Sequence, residues 1–128
     1  MRITIVGAGL MGRWHAYYAR RAGAFVAAVV DANADAARDL ARRCGRAAVF
    51  HDLEEALERM KTDAVHICTP LPSQAGLADM ALRAGRHVMM EKPLTPDLGT
   101  TLELLELAKE RDRMLVPVHQ FPFQSGFK

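Results

Sequence analysis

Arg2-Ile3-Thr4-Ile5-Val6-Gly7-Ala8-Gly9-Leu10-Met11-Gly12 is the stretch on which the fold turns. An apolar run of strand character leads straight into Gly-x-Gly-x-x-Gly, and an apolar-periodic segment follows from Leu10. In that context each glycine has a task. Gly7 makes the tight turn out of the strand, Gly9 lets bare backbone approach a pyrophosphate, and Gly12 lets the helix lie close to the strand. The free N–H groups of the first helical turn, where Leu10 and Met11 stand, then face the phosphates, helped by the helix dipole. A scaffold without nucleotide gains nothing from open backbone at Gly9. Nineteen residues beyond Gly12, Asp31 closes the run Val29-Val30-Asp31, where an acid accepts hydrogen bonds from the adenosine ribose hydroxyls. A carboxylate there repels a 2′-phosphate, and Ala32-Asn33-Ala34 offers no Arg to receive one. The expected cofactor is therefore NAD, with NADP less favoured. The alternative for Asp31 is a cap of the next helix.

Outward from this turn, short apolar runs alternate with longer amphipathic ones. The expected strands are Arg2–Val6, Phe25–Val30, Ala47–Phe50, Ala64–Cys68, His87–Met90 and Met114–Val118. They are mostly continuous in apolar character, as suits a parallel sheet buried on both faces. The expected helices are Leu10–Ala22, Ala34–Cys44, Leu53–Arg59, Ser73–Ala84 and Leu98–Asp112. Gly23, Gly45 and Gly85 follow helices where positive φ is needed, and Asn33, Asp52 and Thr95 or Asp97 stand at N-cap positions. Leu102, Leu105 and Leu107, with Glu103, Glu106 and Lys109 between them, mark the last helix as amphipathic. Strand–helix alternation throughout gives a doubly wound α/β sheet with right-handed crossovers and the Rossmann order 3-2-1-4-5-6. Residues 1–120 read as one dinucleotide-binding domain and 121–128 as an aromatic tail.

Composition excludes several other classes. The chain has 128 residues, 50% of them hydrophobic and 25% charged, with a formal net charge of +2, an ordinary globular balance for one domain. That charge is too small, and the basic residues too scattered, to imply a nucleic-acid or anionic-membrane partner. Cys44 and Cys68 stand far apart, which suits a reduced cytoplasmic protein. No apolar run approaches a membrane span, and the start lacks the features of a signal peptide. The five histidines, His15, His51, His66, His87 and His119, show no metal-ligand spacing, so no metal is expected. His66 and His87 read as satisfied strand histidines, while His119 and Gln120 fall at the end of the last strand, toward the cleft.

Four motifs in order carry a resemblance. They are Ile5–Gly12 with His15 three residues on, Thr62-Asp63-Ala64-Val65-His66-Ile67-Cys68-Thr69-Pro70, Ala81-Leu82-Arg83-Ala84-Gly85-Arg86-His87-Val88, and Glu91-Lys92-Pro93. On these motifs the chain resembles the N-terminal domain of the glucose–fructose oxidoreductase/inositol dehydrogenase family of NAD(P)-dependent oxidoreductases.

The resemblance implies a cofactor cleft at the C-terminal ends of the strands, with Thr69 and Pro70 on the nicotinamide side. It places Glu91 and Lys92 near the nicotinamide ribose, with Lys92 as the catalytic residue that orients a substrate hydroxyl or polarises its carbonyl. It also allows a cis Lys92–Pro93 bond. Leu71 and Gln74 stand where the family has Asn and His, and Gln74 remains a candidate cofactor contact. Gln120 is another.

The family's second domain, which carries the substrate pocket, is absent from these residues. The expected function is thus the NAD(P)-binding half or subunit of an oxidoreductase acting on a sugar, polyol or similar hydroxy/keto substrate. The alternative is a non-catalytic dinucleotide-binding module, regulatory or degenerate, that binds a partner. Phe121, Phe123 and Phe127 in the tail imply a homo- or hetero-oligomer contact, or a join to another chain that supplies the pocket.

Overall fold

The computed structural model describes residues 1–119. Gln120 and the aromatic tail 121–128 lie outside the described residues. Six strands, β1 (Arg2–Val6), β2 (Phe25–Val30), β3 (Ala48–Phe50), β4 (Ala64–Ile67), β5 (His87–Met90) and β6 (Leu115–Pro117), form one parallel sheet in the order β3-β2-β1-β4-β5-β6. Five helices make the crossovers: α1 (Leu10–Arg21), α2 (Ala34–Arg43), α3 (Leu53–Arg59), α4 (Leu71–Arg83) and α5 (Leu98–Glu110). This is the doubly wound order expected from the alternation.

Both sheet faces are apolar because both are covered. On one face Ile3, Ile5, Val26 and Val29 pack against Ala16 of α1 and Ala37, Leu40 and Ala41 of α2. On the other, Val30, Val65, Ile67, Val88 and Met90 pack against Leu53, Ala78, Leu82 and Leu104 from α3, α4 and α5. The alternation of β4 follows from this: Val65 and Ile67 face the second layer, while Ala64 joins the α1–α2 core.

Chain breaks fall where backbone chemistry puts them. Gly23, Gly45 and Gly85 take φ of +87°, +78° and +75° after α1, α2 and α4. Asn33 caps α2 through bonds from the Asp35 and Ala36 N–H groups, Asp52 caps α3, and Asp97 rather than Thr95 caps α5.

Two expectations need correction. Helix α4 begins at Leu71, not Ser73, because Pro72 sits in the first turn, where a missing N–H costs nothing. In α5 the buried face is Leu104, Leu107 and Ala108, while Leu102 and Leu105 are exposed. The run of leucines there exceeds what one helix face can bury, so composition alone does not reveal the inward side.

Candidate functional site

The first residue past each strand is tied sideways to the neighbouring strand. Asp31 N–H donates to the Phe50 carbonyl, Gly7 to Val30, Cys68 to Val6, Glu91 to Ile67 and Val118 to Met90. These bonds set Asp31, Gly7, Cys68, Glu91 and Val118 in a row along the C-terminal edge of the sheet. Between β1 and β4 the strand order reverses, and there the loops diverge and leave a crevice. A cleft of about 860 Å³ occupies it, lined by Gly7, Gly9, Leu10, Met11, Asp31, His51, Thr69, Pro70, Leu71, Gln74, Glu91 and Lys92 among others.

The three glycines of the opening turn differ physically. Gly7 holds φ at +97°, and a Cβ there would lie 2.8 Å from the Cys68 carbonyl oxygen. A Cβ on Gly12 would come within 1.8 Å of the Gly7 carbonyl oxygen. Gly9 has ordinary φ of −74°, and among the described residues nothing lies within 4 Å of a Cβ there. Gly7 and Gly12 are thus required by the fold itself, whereas Gly9 faces open space in the cleft.

Helix ends tell the same story. Asn33, Asp52 and Asp97 cap α2, α3 and α5 with side chains. The helices that start at the cleft, α1 after Gly9 and α4 after Pro70, have no side-chain cap, and neither carries an acid in its first turn. Their first N–H groups and positive dipole ends are left for an anion.

At the β2 side, Asp31 accepts a 2.7 Å bond from the Ala8 N–H on one oxygen and a 2.8 Å bond from the Asn33 N–H on the other. The cap of α2 is Asn33, so Asp31 is not merely a cap. Its carboxylate is fixed against the glycine turn and lines the cleft. His51, which sequence reading did not assign to the site, lies on the same wall.

On the β4 and β5 side, Thr69 and Pro70 form the lip of the cleft. Ser73 Oγ donates to the Pro70 carbonyl at 2.9 Å and bonds Thr69 Oγ1 at 2.8 Å. Gln74 is 3% exposed; its amide donates to the Thr69 carbonyl at 2.9 Å, while its Oε1 has no partner among the described residues. Lys92 is exposed at the cleft, makes no ion pair among the described residues, and precedes a cis bond to Pro93. Cys68 lies beneath, its thiol pushed well up by burial and by the Glu91 charge, and so unreactive. His119 is exposed just past β6 and does not line the cleft.

Glu91, expected near the nicotinamide ribose, is buried at the cleft, and its contact with His15 was not legible in the sequence. Its Oε1 lies 2.8 Å from His15 Nε2, and His15 Nδ1 lies 3.1 Å from His66 Nδ1. The His15 and Glu91 side chains are 8% and 10% exposed. Burial, and secondarily the neighbouring His15, push the His66 pKa down to about 4, so this ring stays neutral at ordinary pH.

The whole described chain, residues 1–119, matches the NAD-binding Rossmann fold of the Gfo/Idh/MocA oxidoreductase family. The chain belongs to this family. It is 40% identical over 100 residues to the dTDP-3,4-didehydro-2,6-dideoxy-alpha-D-glucose 3-reductase of Streptomyces violaceoruber, covering 78% of this chain and 29% of that protein. It is 33% identical over 120 residues to the inositol 2-dehydrogenase of Corynebacterium glutamicum strain R, covering 92% and 36%.

Among solved structures it superposes on GenD2 from gentamicin A biosynthesis in complex with NAD, with a TM-score of 0.93 and 32% identity, over 98% of this chain and 36% of that one. KijD10, a 3-ketoreductase of Actinomadura kijaniata in complex with NADP and TDP-benzene, gives a TM-score of 0.88 and 30% identity over 98% and 39%. The chain thus spans roughly a third of the length of these relatives. As an oxidoreductase NAD-binding domain of this family, it has the fold that nicotinamide dinucleotides occupy in its neighbours. Among the described residues no helix is long and apolar enough to cross a membrane, and no group of three or more His, Cys, Asp or Glu could hold a metal.

Proposed function

We propose that this chain binds NAD, in preference to NADP, and serves as the cofactor half of an oxidoreductase that moves a hydride between nicotinamide and a sugar, polyol or similar hydroxy/keto compound. The observation that carries this reading is the uncapped start of α1 under Gly9, open on its Cβ side, with the Asp31 carboxylate beside it. The donors fit a diphosphate, because peptide N–H groups at a helix start offer hydrogen bonds and partial positive charge together. Asp31, with no Arg at Ala32, Asn33 or Ala34, suits two ribose hydroxyls and disfavours a 2′-phosphate.

When bound, the nicotinamide supplies the hydride acceptor or donor. The residues of this chain do the rest of the work assigned to this half. The row at the sheet edge supports one direction for the site: with Asp31 past β2 at the adenosine half, Thr69, Pro70, Glu91 and Lys92 past β4 and β5 serve the nicotinamide half. Lys92, an exposed cation at the cleft, holds a substrate oxygen and stabilises the negative charge that builds on it. The substrate pocket, and any further acid or base, come from outside these residues. The sugar and polyol chemistry of the relatives supports this substrate class.

Titration calorimetry with NADH and NADPH tests the reading. Binding of NADH at micromolar to submillimolar concentration, tighter than NADPH, is expected. No heat with either at millimolar concentration overturns it.

A further inference from the structure

A second cavity, about 910 Å³, lies on the opposite side of the Glu91 carboxylate. It is a groove lined by Ile3 of β1, His66 of β4 and Met89 of β5, with Trp14 and Tyr18 of α1 on one wall and Val118, just past β6, at its edge. His15 and His66 line this groove, and Glu91 lines both it and the dinucleotide cleft. The carboxylate therefore stands in the wall between the two, held from behind by His15 at 2.8 Å. The next residue, Lys92, is on the cleft side.

We propose that His15 is a positioning residue: it fixes the direction and charge of Glu91 at the nicotinamide half of the cleft, and so makes the preference for NAD+ over NADH depend on pH. This rests on the dinucleotide reading above. The physical basis is simple. The oxidised ring carries a positive charge and the reduced ring does not, while the rest of the two molecules is alike. A carboxylate near the ring favours the oxidised form, and a proton added to the carboxylate–imidazole pair removes that advantage.

The hydrogen-bond chain admits two proton arrangements. In one, His15 Nε2–H donates to Glu91 and His15 Nδ1 accepts from His66 Nδ1–H, leaving a net negative charge on the trio. In the other, imidazolium His15 donates from both nitrogens, to Glu91 and to His66 Nδ1, and the trio is neutral. His66 changes only its tautomer between them.

The groups around the trio make His15 the one that decides its charge. From β4 come His66, kept neutral by burial, and Cys68, whose thiol stays protonated. From the segment after β5 come Glu91 and Lys92. From α1 comes the Tyr18 phenol, on the groove wall. Beyond Val118, His119 is exposed, and farther along β5 His87 accepts a bond from the Met114 N–H at its Nδ1. His51, on the adenosine wall, acts on both redox forms alike and cancels in their ratio.

The test measures NAD+ and NADH dissociation constants of the 128-residue chain by calorimetry from pH 5.5 to 9, in the wild type and in His15→Gln, Glu91→Gln and His119→Gln. The expected result is a wild-type ratio that shifts toward NAD+ as pH rises, by roughly fivefold in all, the scale of one screened charge several ångströms away. His15→Gln and Glu91→Gln flatten the ratio, and His119→Gln keeps its slope.

Ring-nitrogen NMR of the wild type gives a second measure that needs no variant to fold. The His15 shifts are expected to titrate with the same midpoint as the binding ratio. If neither dinucleotide binds, the dinucleotide reading itself fails. If both bind with a pH-independent ratio, if His15→Gln keeps the slope, if His119→Gln abolishes it, or if the His15 midpoint lies elsewhere, the proposal alone is overturned.

Discussion

Gly9 and Gly12 are three residues apart and identical in chemistry, yet substitution is expected to act through different quantities. In Gly12→Ala the new Cβ meets the Gly7 carbonyl at 1.8 Å, which no rotamer can relieve. The turn and helix must separate, at a cost of roughly 3 kcal/mol or more, so thermal unfolding should shift down by many degrees. Gly9→Val adds its side chain to open space at a φ any residue accepts. Its melting temperature should stay within a degree or two of wild type, while NADH affinity, read by calorimetry, falls at least tenfold. A Gly9→Val chain that binds normally would contradict the placement of the diphosphate. Asp31 is a third case. In Asp31→Ser, with Ala32→Arg beside it, the negative charge is gone and a cation is present, so NADPH should gain on NADH by tenfold or more in the same titration. Unchanged selectivity would mean that the bonds from Ala8 and Asn33 are the whole role of Asp31.

Helix caps divide the elements into those closed by their own side chains and those left open at the cleft. Asn33 closes α2 with two bonds of 3.1 Å. Asn33→Ala should cost about 1 kcal/mol of stability, read as a lower urea midpoint with unchanged slope. Dinucleotide affinity should be unaffected, because the Asn33 N–H that holds Asp31 remains. Elements of this kind were legible in the sequence because their signals are local: a glycine after a helix, an Asx before one, a run of Val and Ile between. The limits have the same origin. Pro70-Leu71-Pro72 reads as loop, since two prolines in three residues look like a break, yet Pro72 is tolerated in the first turn of α4. In α5 the inward side is decided by what α4 and β6 offer, and Leu102 and Leu105 stay out. In the cleft, the glycine turn and Asp31 were legible because they are fixed by spacing along the chain. His51 entered by the lateral order of strands. The His15–His66–Glu91 contacts join residues 51 and 76 positions apart, and no periodicity records such a meeting.

At the scale of the whole molecule, the two sheet faces are unequally covered, and a histidine sits where the cover is incomplete. Two helices serve the α1–α2 face and three the other, so β4 and β5 show part of their surface to the groove. His66 projects there, hydrogen-bonded to His15 and only 8% exposed. In the unfolded chain its imidazole takes a proton near its ordinary value of 6.5, whereas in the fold it resists protonation down to about 4. Between those values the unfolded state binds more protons, so stability must fall as pH is lowered from about 6.5 to about 4, and is flat with respect to this group above and below. The full difference is worth roughly 3 kcal/mol, a sizeable part of the stability of a domain this small. Urea unfolding at pH 7.5, 6, 5 and 4.2 should show this loss. In His66→Gln the ring is replaced by an amide that never titrates; stability at pH 7.5 drops because the hydrogen bond with His15 is altered, but the acid slope should become shallower by that amount. The crossing of the two curves is the informative feature, since a residue that only filled space would shift stability equally at every pH. Parallel curves would mean that His66 is already protonated in the fold, with its proton shared toward Glu91 through His15.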